Sequence, residues 1–113
     1  MTDDLRDLQR DYLLDLRRVI DRLREHGRGL GDHAQFKDAF PEVLFIAHQL
    51  KGSGGSLGFP AISDVALRIR QELTSFLDQQ SATRPTPEEL SQHVLALSGE
   101  LERAVDSAAC RGD

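Results

Sequence analysis

The sequence predicts an all-α fold, an antiparallel four-helix bundle with up-down topology, and three observations lead to it. Apolar residues recur at three- and four-residue intervals through four separate segments. Glycine-rich, proline-bearing or polar breaks part those segments. No strand pattern is present anywhere between them. At 113 residues the chain suits one domain spanning 1–113, with apolar content enough for a single core without a metal or disulfide staple.

The first element is carried by Leu5, Leu8, Tyr12, Leu16, Val19, Ile20 and Leu23, a continuous apolar stripe flanked by Asp and Arg. It is expected to end near His26, because Gly27, Gly29 and Gly31 follow at alternate positions and favour a loop. The Gly-x-Gly-x-Gly run is only superficially like a phosphate-cradling loop, since no strand precedes it. The stretch from Asp32 to Phe40 reads as a short helical turn or as the start of the second helix, with Phe36 and Phe40 facing the core. A short extra N-terminal or linking helix is therefore allowed. Pro41 is a candidate first residue of the second helix, which runs to about Leu57, and Gly58 is placed to close it with a left-handed cap.

Pro60 suits the first turn of a third helix whose apolar face is Ile62, Val65, Ala66, Ile69, Leu73 and either Phe76 or Leu77. Asp78 to Pro85 is polar and reads as a loop. Thr86-Pro87-Glu88-Glu89 then combines a capping box with a proline at the first helical position. Leu90, Val94, Leu97, Leu101, Ala104, Val105 and Ala108 continue the fourth stripe almost to the end.

Composition narrows the function. A formal charge of −5 argues against nucleic acid as the main partner, since phosphate contacts call for a clustered basic face. The longest apolar run, Val43 to Ala47, is far short of the roughly 20 residues that span a bilayer, and no signal-peptide pattern opens the chain. One cysteine, Cys110, cannot form an internal disulfide. A cytoplasmic protein with no membrane role is the expectation.

The stretch Ala47 to Phe59 departs from what stability alone would select. Gly52, Gly54 and Gly55 inside a helix together forgo about 3 kcal/mol relative to alanine. At about 100° per residue, Val43, Ile46, Leu50 and Leu57 share one sector with Ser53 and Gly54 beside them, and His48 projects from the opposite side. Its neighbours three, four and seven positions away are Leu44, Phe45, Lys51, Gly52 and Gly55. An exposed imidazole offers a nucleophilic nitrogen at neutral pH. Lys51 can set an ammonium against anionic oxygens. Gly52 and Gly55 remove bulk that would hold a partner away, and Leu44 and Phe45 supply apolar docking area. His26, His33 and His93 lack such company and read as solvated side chains.

Ala47-His48-x-Leu50-Lys51-Gly52-Ser53-x-x-x-Leu57-Gly58 resembles the signature of histidine-containing phosphotransfer (HPt) domains, four-helix bundles that pass a phosphoryl group between aspartates of receiver domains. The resemblance implies that His48 accepts the phosphoryl group, Lys51 steadies its oxygens and Gly52 admits the receiver; Leu44, Phe45, Gly55 and Arg70 are the further candidate docking residues. It implies receiver domains of response regulators as partners, with a hybrid sensor kinase as a further one. No cofactor is expected on this chain, Mg being expected in the receiver, and the role is that of a phosphocarrier: Lys51-Gly52-Ser53 lacks the glycine-rich lead of an ATP-binding loop. Many relatives carry Glu or Gln on the third helix near the histidine, and gapless alignment on Leu57-Gly58 sets Arg70 there. Arginine donates but cannot accept a hydrogen bond, so it either adds a second cation near the phosphoryl group or is an exposed helix residue.

Two other readings stay open. The phosphoacceptor domain of chemotaxis kinases shares His48-x-x-Lys51-Gly52 and Leu57-Gly58-Phe59, though it typically carries Glu where Arg70 stands. A non-catalytic helical interaction module would dock a partner on Leu44 and Phe45, with His48 incidental.

Overall fold

The computed structural model describes residues 2–80 and 82–111, and four helices account for most of them: α1 (Thr2–Gly29), α2 (Phe36–Ser56), α3 (Pro60–Leu77) and α4 (Pro87–Arg111). Cross-helix contacts fix their directions. Tyr12 meets Ser53 and Arg22 meets Glu42, so α1 and α2 run antiparallel. Lys51 meets Ser63 while Phe36 and Phe40 meet Phe76, which makes α3 antiparallel to α2. Arg68 pairs with Glu100 and Glu72 with His93, and α4 closes the ring through Arg17 to Asp106 and Arg24 to Glu102. The bundle is up-down as expected, with no separate short helix among the described residues; 30–35 is a succession of turns.

The four stripes meet in one core, whose fully buried members include Leu16, Ile20, Leu23, Val43, Ile62, Ile69, Leu73, Leu90, Val94, Leu101 and Val105. Among the described residues, no buried side-chain nitrogen or oxygen lacks a hydrogen-bond partner.

Three sequence expectations need correction. The first helix does not stop near His26. It continues to Gly29, and Gly27 and Gly29 face neighbours so close that a Cβ would make them give by a few tenths of an ångström. A Cβ on Gly27 would lie 3.2 Å from Val94 Cγ1, and one on Gly29 would lie 3.1 Å from the Ala39 Cβ. The Ser91 hydroxyl donates to the Gly27 carbonyl at 2.7 Å in the same seam. These are packing glycines, and tertiary contact overrides their poor helix propensity.

The second correction concerns Pro41, which lies inside α2 and does not begin it. Its missing N–H removes one bond, to the carbonyl of Lys37, an exposed residue. The helix is carried through by buried Ala39 and Val43 and by Phe36, whose ring centroid stands 5.6 Å from that of Phe40 and 5.1 Å from that of Phe76. Phe76 is thus the residue that completes the α3 stripe, and Leu77 is exposed.

Third, Leu5 and Leu8 do not join the core; they are 48% and 59% exposed. Gln9 Nε2 donates to the Leu57 carbonyl, which sets Gln9 level with the turn between α2 and α3. The first two turns of α1 therefore extend past that end of the bundle, and Leu13, outside the expected stripe, is buried in their stead.

The remaining boundaries follow local chemistry. Gly58 has φ +87°, the left-handed conformation expected of it, and Phe59 N–H returns to the Gly54 carbonyl at 2.7 Å. Pro60 opens α3. Before α4, Thr86 N–H donates to Glu89 Oε1 at 3.0 Å and Glu89 N–H to Thr86 Oγ1 at 3.1 Å, the reciprocal capping box.

Candidate functional site

The middle of α2 presents two unlike faces. Val43, Ile46, Ala47, Leu50 and Gly54 are buried, whereas Phe45, His48, Gly52 and Gly55 are exposed and Leu44 and Lys51 half-buried. The helical spacing that placed His48 opposite the core is thus realised, and Lys51, Gly52 and Gly55 lie on its side. Phe45, 50% exposed, forms the apolar edge.

Among the described residues His48, Lys51 and Arg70 have no side-chain hydrogen bond or ion pair, since every such contact involving α2 or α3 falls elsewhere. The ring and the two cations are free to meet something from outside. His93, in contrast, has Nδ1 3.0 Å from Glu72 Oε2.

The glycines separate by environment. A Cβ on Gly52 would meet nothing within 4 Å, so its bareness serves no contact inside the molecule. On Gly55 a Cβ would make an ordinary 3.8 Å contact with Ser63 Oγ. On Gly54 it would lie 3.0 Å from the Ser63 backbone nitrogen and 3.1 Å from Ile62 Cγ2. Gly54 lets α3 approach α2 closely, and the Ser63 hydroxyl then donates to the Lys51 carbonyl at 2.8 Å.

A second brace comes from α1. The Ser53 hydroxyl donates to the Gln49 carbonyl at 2.9 Å, which commits its one proton, so the Tyr12 hydroxyl 2.7 Å away is the donor to Ser53 Oγ. Burial pushes the Tyr12 phenol above its usual range and the Ser53 contact opposes that shift, so the phenol keeps the proton it donates. The Tyr12 ring stacks on Phe59, with centroids 5.9 Å apart. Tyr12, Ser53 and Ser63 thus hold the turns of α2 beside His48 from two neighbouring helices. The sequence counted Tyr12 only as a core residue, set Ser53 beside the apolar sector without a partner, and passed over Ser63. Their signal, a hydroxyl at an otherwise apolar helix interface, becomes readable only once the neighbours are known.

No helix among the described residues is long and apolar enough to cross a membrane, and no group of three or more His, Cys, Asp or Glu there could hold a metal ion. Comparison with curated proteins and with solved structures returns no significant match. The family comparison does: the Hpt domain matches residues 3–108, which take in nearly all of the described bundle and the whole of its bare, unpartnered α2 face, and the chain belongs to that family.

Proposed function

We propose that His48 accepts a phosphoryl group from a receiver-domain aspartate and passes it to another receiver, making this single-domain, cytoplasmic chain a phosphocarrier rather than an autonomous enzyme. Membership of the Hpt family makes the chain a histidine phosphotransfer module of two-component signalling, whose partners in general are receiver domains. The observation that carries the finer reading is the presence on one helix face of an exposed, unpartnered His48, a half-buried, unpartnered Lys51 and an open Gly52.

In the forward step the lone pair of an unprotonated His48 ring nitrogen forms a P–N bond in line as the P–O bond of the aspartyl phosphate breaks. The aspartate leaves as carboxylate, and the proton on the other ring nitrogen is lost to solvent. Lys51 offsets charge on the equatorial oxygens. The receiver contributes Mg and most of the remaining electrostatics, so this chain needs no ATP site. Gly52 and Gly55 leave room for the receiver's backbone, and Leu44 and Phe45 supply apolar contact. Receiver transfer is preferred to direct phosphorylation by a chemotaxis-type kinase because Arg70 stands where an acceptor would otherwise serve the ring.

The test is incubation with a panel of phosphorylated receiver domains and magnesium, with His48→Gln alongside. Label that is acid-labile, base-stable and absent from the variant is the expected result. A folded chain that takes no label from any receiver points to the non-catalytic interaction module.

A further inference from the structure

We propose that Arg70 and Lys51 form a two-cation seat for the phosphoryl group carried by His48, one cation from each of two helices, with the second ring nitrogen left without an acceptor. The inference rests on His48 being the phosphoryl acceptor and adds what holds the group there.

The register of α2 against α3 supports it. Ser63 is level with Lys51 through its hydroxyl and with Gly54 through its backbone nitrogen. One turn back from Lys51 is His48. One turn on from Ser63 is Leu67, with Arg70 a turn beyond on the same face. Helical side chains lean toward the N-terminus of their own helix. In an antiparallel pair that brings His48 and Arg70 toward each other: His48 leans away from the Gly58 turn, and Arg70 leans back toward it.

Charge supports it independently. The chain carries 19 acidic against 14 basic residues, yet no carboxylate lies three or four positions from Lys51 or from Arg70. Glu42, the acid of α2 toward Arg70, faces Arg22 of α1 at 3.8 Å. On α3 the unpaired Asp64 is six positions, about 9 Å of rise, from Arg70. Arg17, Arg24 and Arg68 each reach a carboxylate of α4, while Arg70 and Lys51 reach none among the described residues. Lys51 and Arg70, both without a counter-ion among the described residues, lie on the two helices that meet beside the unpartnered His48 ring, a charge arrangement that suits a dianionic phosphoryl group.

The experiment is a pH titration, followed by 31P NMR, of the 113-residue chain phosphorylated with phosphoramidate, whose P–N bond breaks with ammonia leaving as the His48 nitrogen bonds phosphorus. His48→Gln identifies the His48 resonance among the four histidines. Both cations favour the dianionic phosphoryl group and the unprotonated ring, so the wild-type midpoint is the lowest. Arg70→Ala is expected to raise it by about half a pH unit, Lys51→Ala by a similar amount, and Arg70→Lys to restore most of the shift. Arg70 is exposed, so its loss leaves the bundle folded. A midpoint in Arg70→Ala equal to wild type, with Lys51→Ala displaced, overturns the seat alone. A wild type with no resonance that His48→Gln removes overturns the acceptor role and the seat with it.

Discussion

The seams that α4 makes with its neighbours and the outer face of α2 use the same residue types to opposite ends. Along the seams Arg17, Arg24 and Arg68 each reach a carboxylate, His93 faces Glu72, and Gly27 makes room for Val94 and Leu95. On α2 the histidine and lysine reach nothing among the described residues, and Gly52 makes room for nothing inside the molecule. Charges and glycines that are matched internally belong to the fold. On the proposed function, those left unmatched on the outer face of α2 are accounted for by a partner.

The sharpest way to break this contrast is to add one methyl group at each of two glycines on α2. Gly54→Ala drives a Cβ to 3.0 Å from the Ser63 nitrogen and is expected to lower stability by about 2 kcal/mol in urea denaturation. A stability equal to wild type would mean that α3 does not need the close approach. Lys51→Ala is expected to slow transfer from a phosphorylated receiver about tenfold without preventing it, ~1.4 kcal/mol of transition-state stabilisation. Equal rates remove Lys51 from the site. Gly52→Ala, in contrast to Gly54→Ala, should raise stability by about 1 kcal/mol, since an exposed helical position gains propensity and loses no contact. A loss there contradicts the open environment.

The smallest effects lie in the polar trim. Hydrogen bonding to Arg68 holds the Glu100 carboxyl below its ordinary value of 4.5. The Thr86 backbone N–H, and then its hydroxyl, do the same for Glu89. A depressed carboxyl contributes stability that is present above its unfolded pKa and lost as pH falls through the folded one. The melting temperature should therefore decline as pH drops below about 4.5, and Thr86→Ala and Arg68→Gln should each flatten that decline slightly. Both carboxyls are exposed, so solvent screening keeps the effect small. An unaltered acid profile in both variants would leave these contacts without energetic weight.

The topology was legible because three of the four stripes obey a single periodicity from cap to cap. Gly58, Pro60 and the Thr86–Glu89 box sit where turn and cap chemistry puts them. The misplaced helix boundaries have one cause. Gly27, Gly29 and Pro41 are local breakers, and only the tightness of the α1–α4 and α1–α2 seams and the Phe36–Phe40–Phe76 cluster reveals that packing overrules them. Leu5 and Leu8 fit the stripe by spacing, but nothing local tells how far neighbouring helices extend alongside.

The candidate site divides in the same way. His48, Lys51 and Gly52 share a face because of helical spacing alone, which a sequence displays. Tyr12 and Ser63 brace it from α1 and α3, through contacts 41 and 12 residues apart in the chain, and spacing within α2, which does set Ser53 beside the buried sector, carries no trace of either.

The central claim is that the outer face of α2 is kept bare for a partner and not for the fold. Phosphoryl transfer to Gly52→Gln from a receiver that labels the wild type, with a melting curve on the same preparation, tests it most directly. The account predicts a folded bundle, at least as stable as wild type, that no longer takes label. Transfer at the wild-type rate, or a bundle that unfolds, would contradict it.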